Sequence, residues 1–321
     1  MVKISTVRKS ILRFAKESEH DEGLVCVFAG ATSGIGASTL ETLARILSNP
    51  TFYVLGRSEE QFASQRARLA SLNPGCKIVF LEAQFSLLSD VDAICKRITL
   101  AETKVDYLCM SPGVIPINGP EYTGEGLELY FAISYYSRMR LLANILPLLR
   151  QSAHPRVLSV LSAGREASIH LHDLELQQNW SFYEVLVQAS TMTTLTFEYL
   201  AQQETHMTLI HARPGAVLTE NFARLTAPAE SSLAWKALLC TFKFVFTNIA
   251  RWFGTSLEES GERQAFHLTS PRFGPGVWRL GSSSNPVPSN RILAEYIENG
   301  WPEKVWDHTM RVFDRVTTAD I

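Results

Sequence analysis

The 321-residue chain carries 30 basic and 32 acidic side chains, a formal net charge of −2, with 46% apolar and 19% charged residues. That apolar share excludes global disorder, and near-neutral charge without a long basic run argues against nucleic acid as the main partner. The length admits one large domain or two small ones, and a charged share below the usual ~25% leaves room for apolar surface.

Met1 to Gly23 carries basic residues but no uninterrupted apolar core, so no secretory signal is expected. An apolar run at 24–29 precedes a glycine turn and a helical pattern at 37–47. The alternation then repeats: strand 51–55, helix 59–71, strand 77–81, helix 89–101 and strand 105–110. A long helical stretch covers 125–150, with Pro147 bending or ending it, followed by strand 156–161, helix 183–203 and strand 208–212. A loop at 282–289 leads to helices near 290–299 and 304–316. Continuous apolar strands alternating with helices predict α/β architecture: one doubly wound domain whose six-stranded parallel sheet is covered on both faces.

The five cysteines (Cys26, Cys76, Cys95, Cys109, Cys240) are odd in number and form no C-x-x-C pair. Free thiols in a cytoplasmic protein are the expectation, without a disulfide framework or a metal site. No stretch reaches 18 consecutive uncharged apolar residues, so no membrane span is expected. Residues 225–253 differ in kind. They are rich in aromatics, and Lys236, Lys243, Thr247 and Arg251 fall on one side of a helix with a wide apolar face opposite. Three readings stay open: a helix buried on the sheet edge or a dimer partner, a lid over the substrate, or a membrane-surface helix.

The strongest motif is Gly30-Ala31-Thr32-Ser33-Gly34-Ile35-Gly36, directly after the first strand and opening the first helix of the alternation. A dinucleotide pyrophosphate needs close backbone approach and unpaired N–H groups at a helix N-terminus, which side chains would block. A second strand 20 residues on strengthens the reading. At its end stands Gly56-Arg57-Ser58, where an acid would accept from the ribose 2′-OH. Arg57 instead suits a 2′-phosphate, so NADP(H) is expected over NAD(H).

Taken together, the chain resembles the short-chain dehydrogenase/reductases over residues 22–281. The glycine loop is similar to the family's T-G-x-x-x-G-I-G, with Ala29 for the threonine. Asp106-Tyr-Leu-Cys-Met-Ser111-Pro112-Gly113 resembles the segment ending N-N-A-G, and Pro214-Gly215-Ala-Val217-Leu-Thr219 the family's P-G-x-V-x-T. The segments around 25–36, 135–140 and 305–309 resemble a fungal subgroup often linked to secondary metabolism. The resemblance implies a Rossmann domain at 23–283 with a lid at 225–270, an N-terminal extension at 1–22 and a helical C-terminal extension at 284–321. It also implies cofactor contacts from the glycine loop, Arg57, Ser58, Gln84 (where the family commonly has aspartate), Ser111, Pro112, Gly113, Pro214, Gly215, Val217 and Thr219.

The family's proton machinery is incomplete. Its catalytic serine aligns with Ser162, preceded by Leu161, and its helix-four asparagine is replaced by Ser134. Its Tyr-x-x-x-Lys pair falls either on Tyr183 and Val187 or, anchored on Tyr199-Leu200-Ala201, on Leu186 and Ser190, and no lysine occurs between Lys104 and Lys236 in any register. Moving a phenol from ~10 to ~7 takes about 4 kcal/mol of electrostatic help, which that lysine normally supplies. Tyr183, one turn before Leu186, is a candidate unassisted acid. His172, with His170 and Asp173 in the same loop, is another, since imidazole titrates near ~6.5. As loop residues these are otherwise expected to face water, as are Arg165 and Glu166. The expected function is an NADP(H)-dependent oxidoreductase acting on a carbonyl or alcohol of an apolar metabolite, with altered proton delivery. A non-redox isomerase, cyclase or dehydratase, or an inactive nucleotide-binding relative, remains open. The resemblance also implies a homodimer, whose face would fall on 127–150 and 183–203.

Overall fold

The computed structural model describes all residues except 18–22, 220–221, 223–224 and 320–321. The expected end of the N-terminal extension at residue 22 thus lies outside the described residues. Seven strands form one parallel sheet: β1 (Val25–Ala29), β2 (Thr51–Gly56), β3 (Lys77–Glu82), β4 (Tyr107–Met110), β5 (Arg156–Val160), β6 (Thr208–Ala212) and β7 (Gly276–Leu280). Their order is β3-β2-β1-β4-β5-β6-β7. The direction of winding reverses between β1 and β4, which opens a crevice at the carboxyl ends of the central strands. β1, β4 and β6 are buried along their whole length, as all-parallel sheets covered on both faces require.

β7 makes seven strands where six are expected. Its short apolar run is interrupted by Arg279, which reads as a loop residue until its buried partner Glu166 is seen.

One face of the sheet is covered by α1 (Ile4–Glu17), α2 (Gly34–Ala44), α3 (Glu59–Leu72) and α9 (Leu257–Thr269). α1 is absent from the expectations, yet Val7 and Ile11 enter this core, and the Val2 amide donates to Ser283 O at 3.1 Å. α9 corrects the expected lid at 225–270. It is a core helix, with Phe266 and Leu268 buried, and it crosses α2 so closely that a Cβ on Gly261 would lie 2.6 Å from the Ser38 backbone.

The opposite face carries α4 (Leu88–Ala101), α5 (Leu129–Phe131), a π-helical turn at Ala132–Tyr136, α6 (Ser137–Leu149), α7 (Phe182–Gln203), α10 (Arg291–Glu298) and α11 (Trp301–Ala319). The stretch expected as one helix over 125–150 therefore begins at Leu129 and is broken by the π turn. α11 is packed into the domain through Val305, Val312, Phe313 and Val316. The remaining helix, α8 (Leu233–Phe253), lies outside both cores.

Candidate active site

The glycine loop leaves β1 as a tight cradle. Gly30 sits at φ +75° and Gly34 at +61°, in the left-handed region where a side chain is strained. A Cβ on Gly30 would lie 2.6 Å from the Pro112 Cα, and one on Gly36 would lie 2.9 Å from the Ala31 Cα and strike Ser111 Oγ. Ser111 donates to Gly30 O at 3.0 Å, tying the loop to the end of β4. Thr219 reaches over the same loop, its methyl 3.6 Å from where a Gly34 Cβ would stand. Thr32 closes in from beside Gly56, where a Cβ would lie 2.6 Å from its methyl. Gly215 is at φ +84° against Ser282, so the Pro214–Thr219 turn also depends on a missing side chain.

The first turn of α2 is electrostatically open. Ser33 at its N-cap makes no side-chain hydrogen bond, so the amides there, from Ile35 on, have no cap. Serines at the starts of α3, α7, α8 and α9 all accept an amide of their own helix. An uncapped N-terminus with its partial positive charge, floored by glycines, fits a pyrophosphate.

Three expected contacts look different in space. Ser58 accepts the Gln61 amide at 3.2 Å, so its hydroxyl caps α3. Gln84 is exposed, and its amide donates to Asp90 Oδ2 at 2.6 Å. Arg57 is exposed beside them and makes no side-chain hydrogen bond or ion pair among the described residues.

At the end of β5, Ser162 is half-buried and its hydroxyl makes no hydrogen bond among the described residues. Its backbone is held from two sides. Its amide donates to His211 Nε2 at 3.2 Å, and Ser190 Oγ donates to its carbonyl at 3.1 Å. Behind His211, Thr194 Oγ1 lies 2.9 Å from Nδ1 and donates to Glu166 Oε1 at 2.8 Å. Glu166 Oε2 accepts from the Gly164 amide at 2.8 Å and from Arg279 at 3.2 Å. Glu166 is buried, which corrects its expected exposure, whereas Arg165 does face water. Burial holds His211 down to about 4, so the ring is neutral near pH 7.

The candidate acids lie at the rim. Tyr183 is 63% exposed at the start of α7. His172 is exposed, and His170 Nε2 lies 3.3 Å from Glu184. Asp173 accepts the amides of Gln177, Gln178 and Asn179, which hold its carboxyl below the usual range and organise the loop. Among the described residues no cluster of side chains suits a metal ion. Ser134, in the π turn, is fully buried beside the Tyr130 phenol.

No family model matches the chain. It is 36% identical over 318 residues to oxidoreductase AN1596 of Emericella nidulans, covering 91% of this chain and 93% of that protein. It is 25% identical over 347 residues to the short-chain dehydrogenase/reductase SAT2 of Stachybotrys chartarum, covering 94% of each. The fold superposes on L-sorbose reductase of Gluconobacter frateurii, solved with NADPH and L-sorbose, at TM-score 0.59 and 17% identity, covering 82% of this chain and 97% of that one. This chain is a short-chain dehydrogenase/reductase. It sits among fungal oxidoreductases of the type its sequence resembles.

For a member of this oxidoreductase family, the centre of the site is unusual. Leu186 and Ser190 stand one turn apart on α7, and the Ser190 hydroxyl is committed to Ser162 O. A residue missed in the sequence lies beneath them. Arg138 on α6 is fully buried, and its guanidinium donates to Ser159 Oγ at 2.7 Å, Val160 O at 2.9 Å, Met110 O and Ile133 O at 3.3 Å, and the Pro112 carbonyl. Burial lowers it only to about 10, so it remains a cation clamping the ends of β4 and β5. The signal was slight: an arginine four residues after the asparagine position, on a face otherwise apolar.

Proposed function

We propose that the protein is an NADP(H)-dependent reductase or dehydrogenase acting on a carbonyl or alcohol of an apolar small molecule in fungal secondary metabolism. The observation that carries the reading is the uncapped start of α2 over a glycine floor, with the unpaired Arg57 at the end of β2. Gly30, Gly34 and Gly36 would admit the pyrophosphate, Arg57 would pair with the 2′-phosphate, and the Pro214–Thr219 turn would border the nicotinamide. When bound, that group supplies or accepts a hydride at the substrate carbon.

The chain's own residues then handle the oxygen. Ser162 Oγ donates to the substrate oxygen and passes its proton as negative charge develops there, regaining one from water at the half-buried mouth of the site. The Ser190 and His211 contacts hold the Ser162 main chain while this happens. Arg138, beneath the same strand ends, biases the field towards negative charge, a part the missing lysine plays elsewhere in the family.

A second reading is favoured by Leu186 and Ser190 themselves. A site without the tyrosine and lysine is suited to isomerisation, cyclisation or dehydration on the same scaffold. Binding isotherms for NADPH and NADH separate the readings. Arg57→Ala is expected to weaken NADPH about 10- to 100-fold, the worth of a charge-assisted phosphate contact, and to leave NADH unchanged. Equal loss for both cofactors removes the NADP assignment. Absence of binding to either removes the redox reading altogether.

A further inference from the structure

Among the described residues, exposed large apolar side chains concentrate on α8. Leu233, Leu238, Phe242, Phe244, Val245 and Trp252 are between 47% and 85% exposed. At 3.6 residues per turn they share roughly half the helix circumference. The other side is anchored to the protein. Leu239 and Ala250 are buried, and Phe246 packs on the Phe222 ring, tilted by 37° with centroids 4.4 Å apart, while Phe242, 6.0 Å from the same ring, marks the edge of the exposed face. The apolar face is therefore left uncovered by the described residues.

Charge is equally one-sided. No acidic residue occurs between Glu230 and Glu258, while Lys236, Lys243 and Arg251 line one flank of the helix. With residues 225–227 they wall a cleft of about 580 Å³. Lys236 Nζ is steadied on Ala229 O at 2.7 Å and Lys243 Nζ on Leu225 O at 2.9 Å. The Ala229 carbonyl is neutral, so that contact leaves the Lys236 charge in place.

We propose that α8 docks the protein on the surface of an anionic phospholipid bilayer. The exposed apolar face enters the outer acyl layer, and the cationic cleft receives headgroup phosphates. An amphipathic helix with aromatic and leucine side chains on one face and cations beside it has the composition of an interfacial anchor. The segment Leu233–Trp252 is also long and apolar enough to cross a membrane, with 12% of it buried, although no uninterrupted apolar run marks it in the sequence. Spanning would put Lys243 near mid-bilayer and strip Leu239 and Ala250 from the protein, so the helix lies on the membrane rather than through it. A second copy fits less well. A two-fold contact through this face would bring Lys236 and Arg251 of both copies together with no acid on either helix to pair them.

The test is flotation of the full chain with phosphatidylcholine vesicles, with and without phosphatidylserine. Binding only to the phosphatidylserine vesicles, weakening as salt rises, is the expected result. Lys236→Glu and Arg251→Glu should each weaken partitioning about fivefold or more. Leu238→Ser combined with Trp252→Ser should abolish it; both positions are exposed, so the melting temperature should hold. No flotation with either vesicle overturns the proposal, as does equal binding to neutral and anionic vesicles. A dimer by light scattering that the serine variant dissociates also overturns it, by making a second copy the occupant.

Discussion

The backbone amide of Ser162 donates to Nε2 of His211 at 3.2 Å, so that ring nitrogen carries no proton. The proton sits on Nδ1 and is donated to Thr194 Oγ1, whose own hydrogen goes to Glu166. A single neutral tautomer thus links the Ser162 loop to β6, α7 and, through Glu166 and Arg279, β7. The network works only while His211 stays uncharged.

That requirement gives a pH dependence. Unfolded histidine titrates near ~6.5, whereas burial holds His211 at about 4 and His267 at about 3 in the folded chain. Between those values the unfolded state takes up protons that the folded state refuses, so stability is lost as pH falls from about 6.5 towards 4. His211 alone accounts for about 3 kcal/mol of that loss. Urea midpoints measured from neutral to mildly acid pH should fall steadily. His267→Gln should flatten the slope, and a midpoint indifferent to pH would contradict this account.

Replacing Arg138 strands several buried acceptors at once. Arg138→Met is expected to destabilise the fold by about 3 kcal/mol, with Arg138→Lys in between because an ammonium reaches fewer of the same oxygens. Denaturant unfolding measures both. If Arg138 also biases the reaction field, the lysine variant should recover turnover more fully than stability, a split that a purely structural arginine would not show.

Ser162→Ala should lower turnover about 10²- to 10³-fold with little change in substrate affinity, since the lost contact matters most as charge develops. Tyr183→Phe should stay within about threefold, because the ring is solvent-exposed and a water-fed serine does not need it. Collapse of activity in Tyr183→Phe would instead make that phenol the proton donor. Steady-state kinetics on the two variants decides between them.

The helices expected to form a dimer face are already covered by the chain itself. Trp306 on α11 stacks on Tyr199 of α7 at 5.8 Å, Thr309 Oγ1 lies 2.6 Å from the Tyr135 hydroxyl, and Arg140 sits over the Phe313 ring at 5.1 Å. Light scattering should report a monomer through this face. Removing residues 300–321 should uncover it and promote self-association or loss of stability.

Much of the fold was legible because its signals are local. The buried runs of β1, β4, β5 and β6 are continuous in sequence, and the glycine loop declares itself by three residues that must lack a Cβ. β7 was missed because Arg279 makes sense only beside Glu166, 113 residues away. α1 was missed because basic residues obscured its apolar repeat at Ile4, Val7, Ile11 and Phe14. Ser58 accepts the Gln61 amide as a helix cap, a contact the residue type alone does not single out, and its O–H is still left to donate to a phosphate.

The low charged share of the chain has a divided explanation. By itself, the sequence determined the strand–turn–helix cradle, the parallel architecture and the absence of the family's tyrosine–lysine pair, because backbone periodicity, glycine conformation and residue identity are properties of neighbouring positions. Only the tertiary structure decided that Glu166 is buried, that Arg138 clamps two strand ends, and that the apolar face of α8 remains open. Burial and charge pairing depend on what arrives from distant parts of the chain. Over the outer face of α8 nothing arrives among the described residues, and the apolar excess is left at the surface.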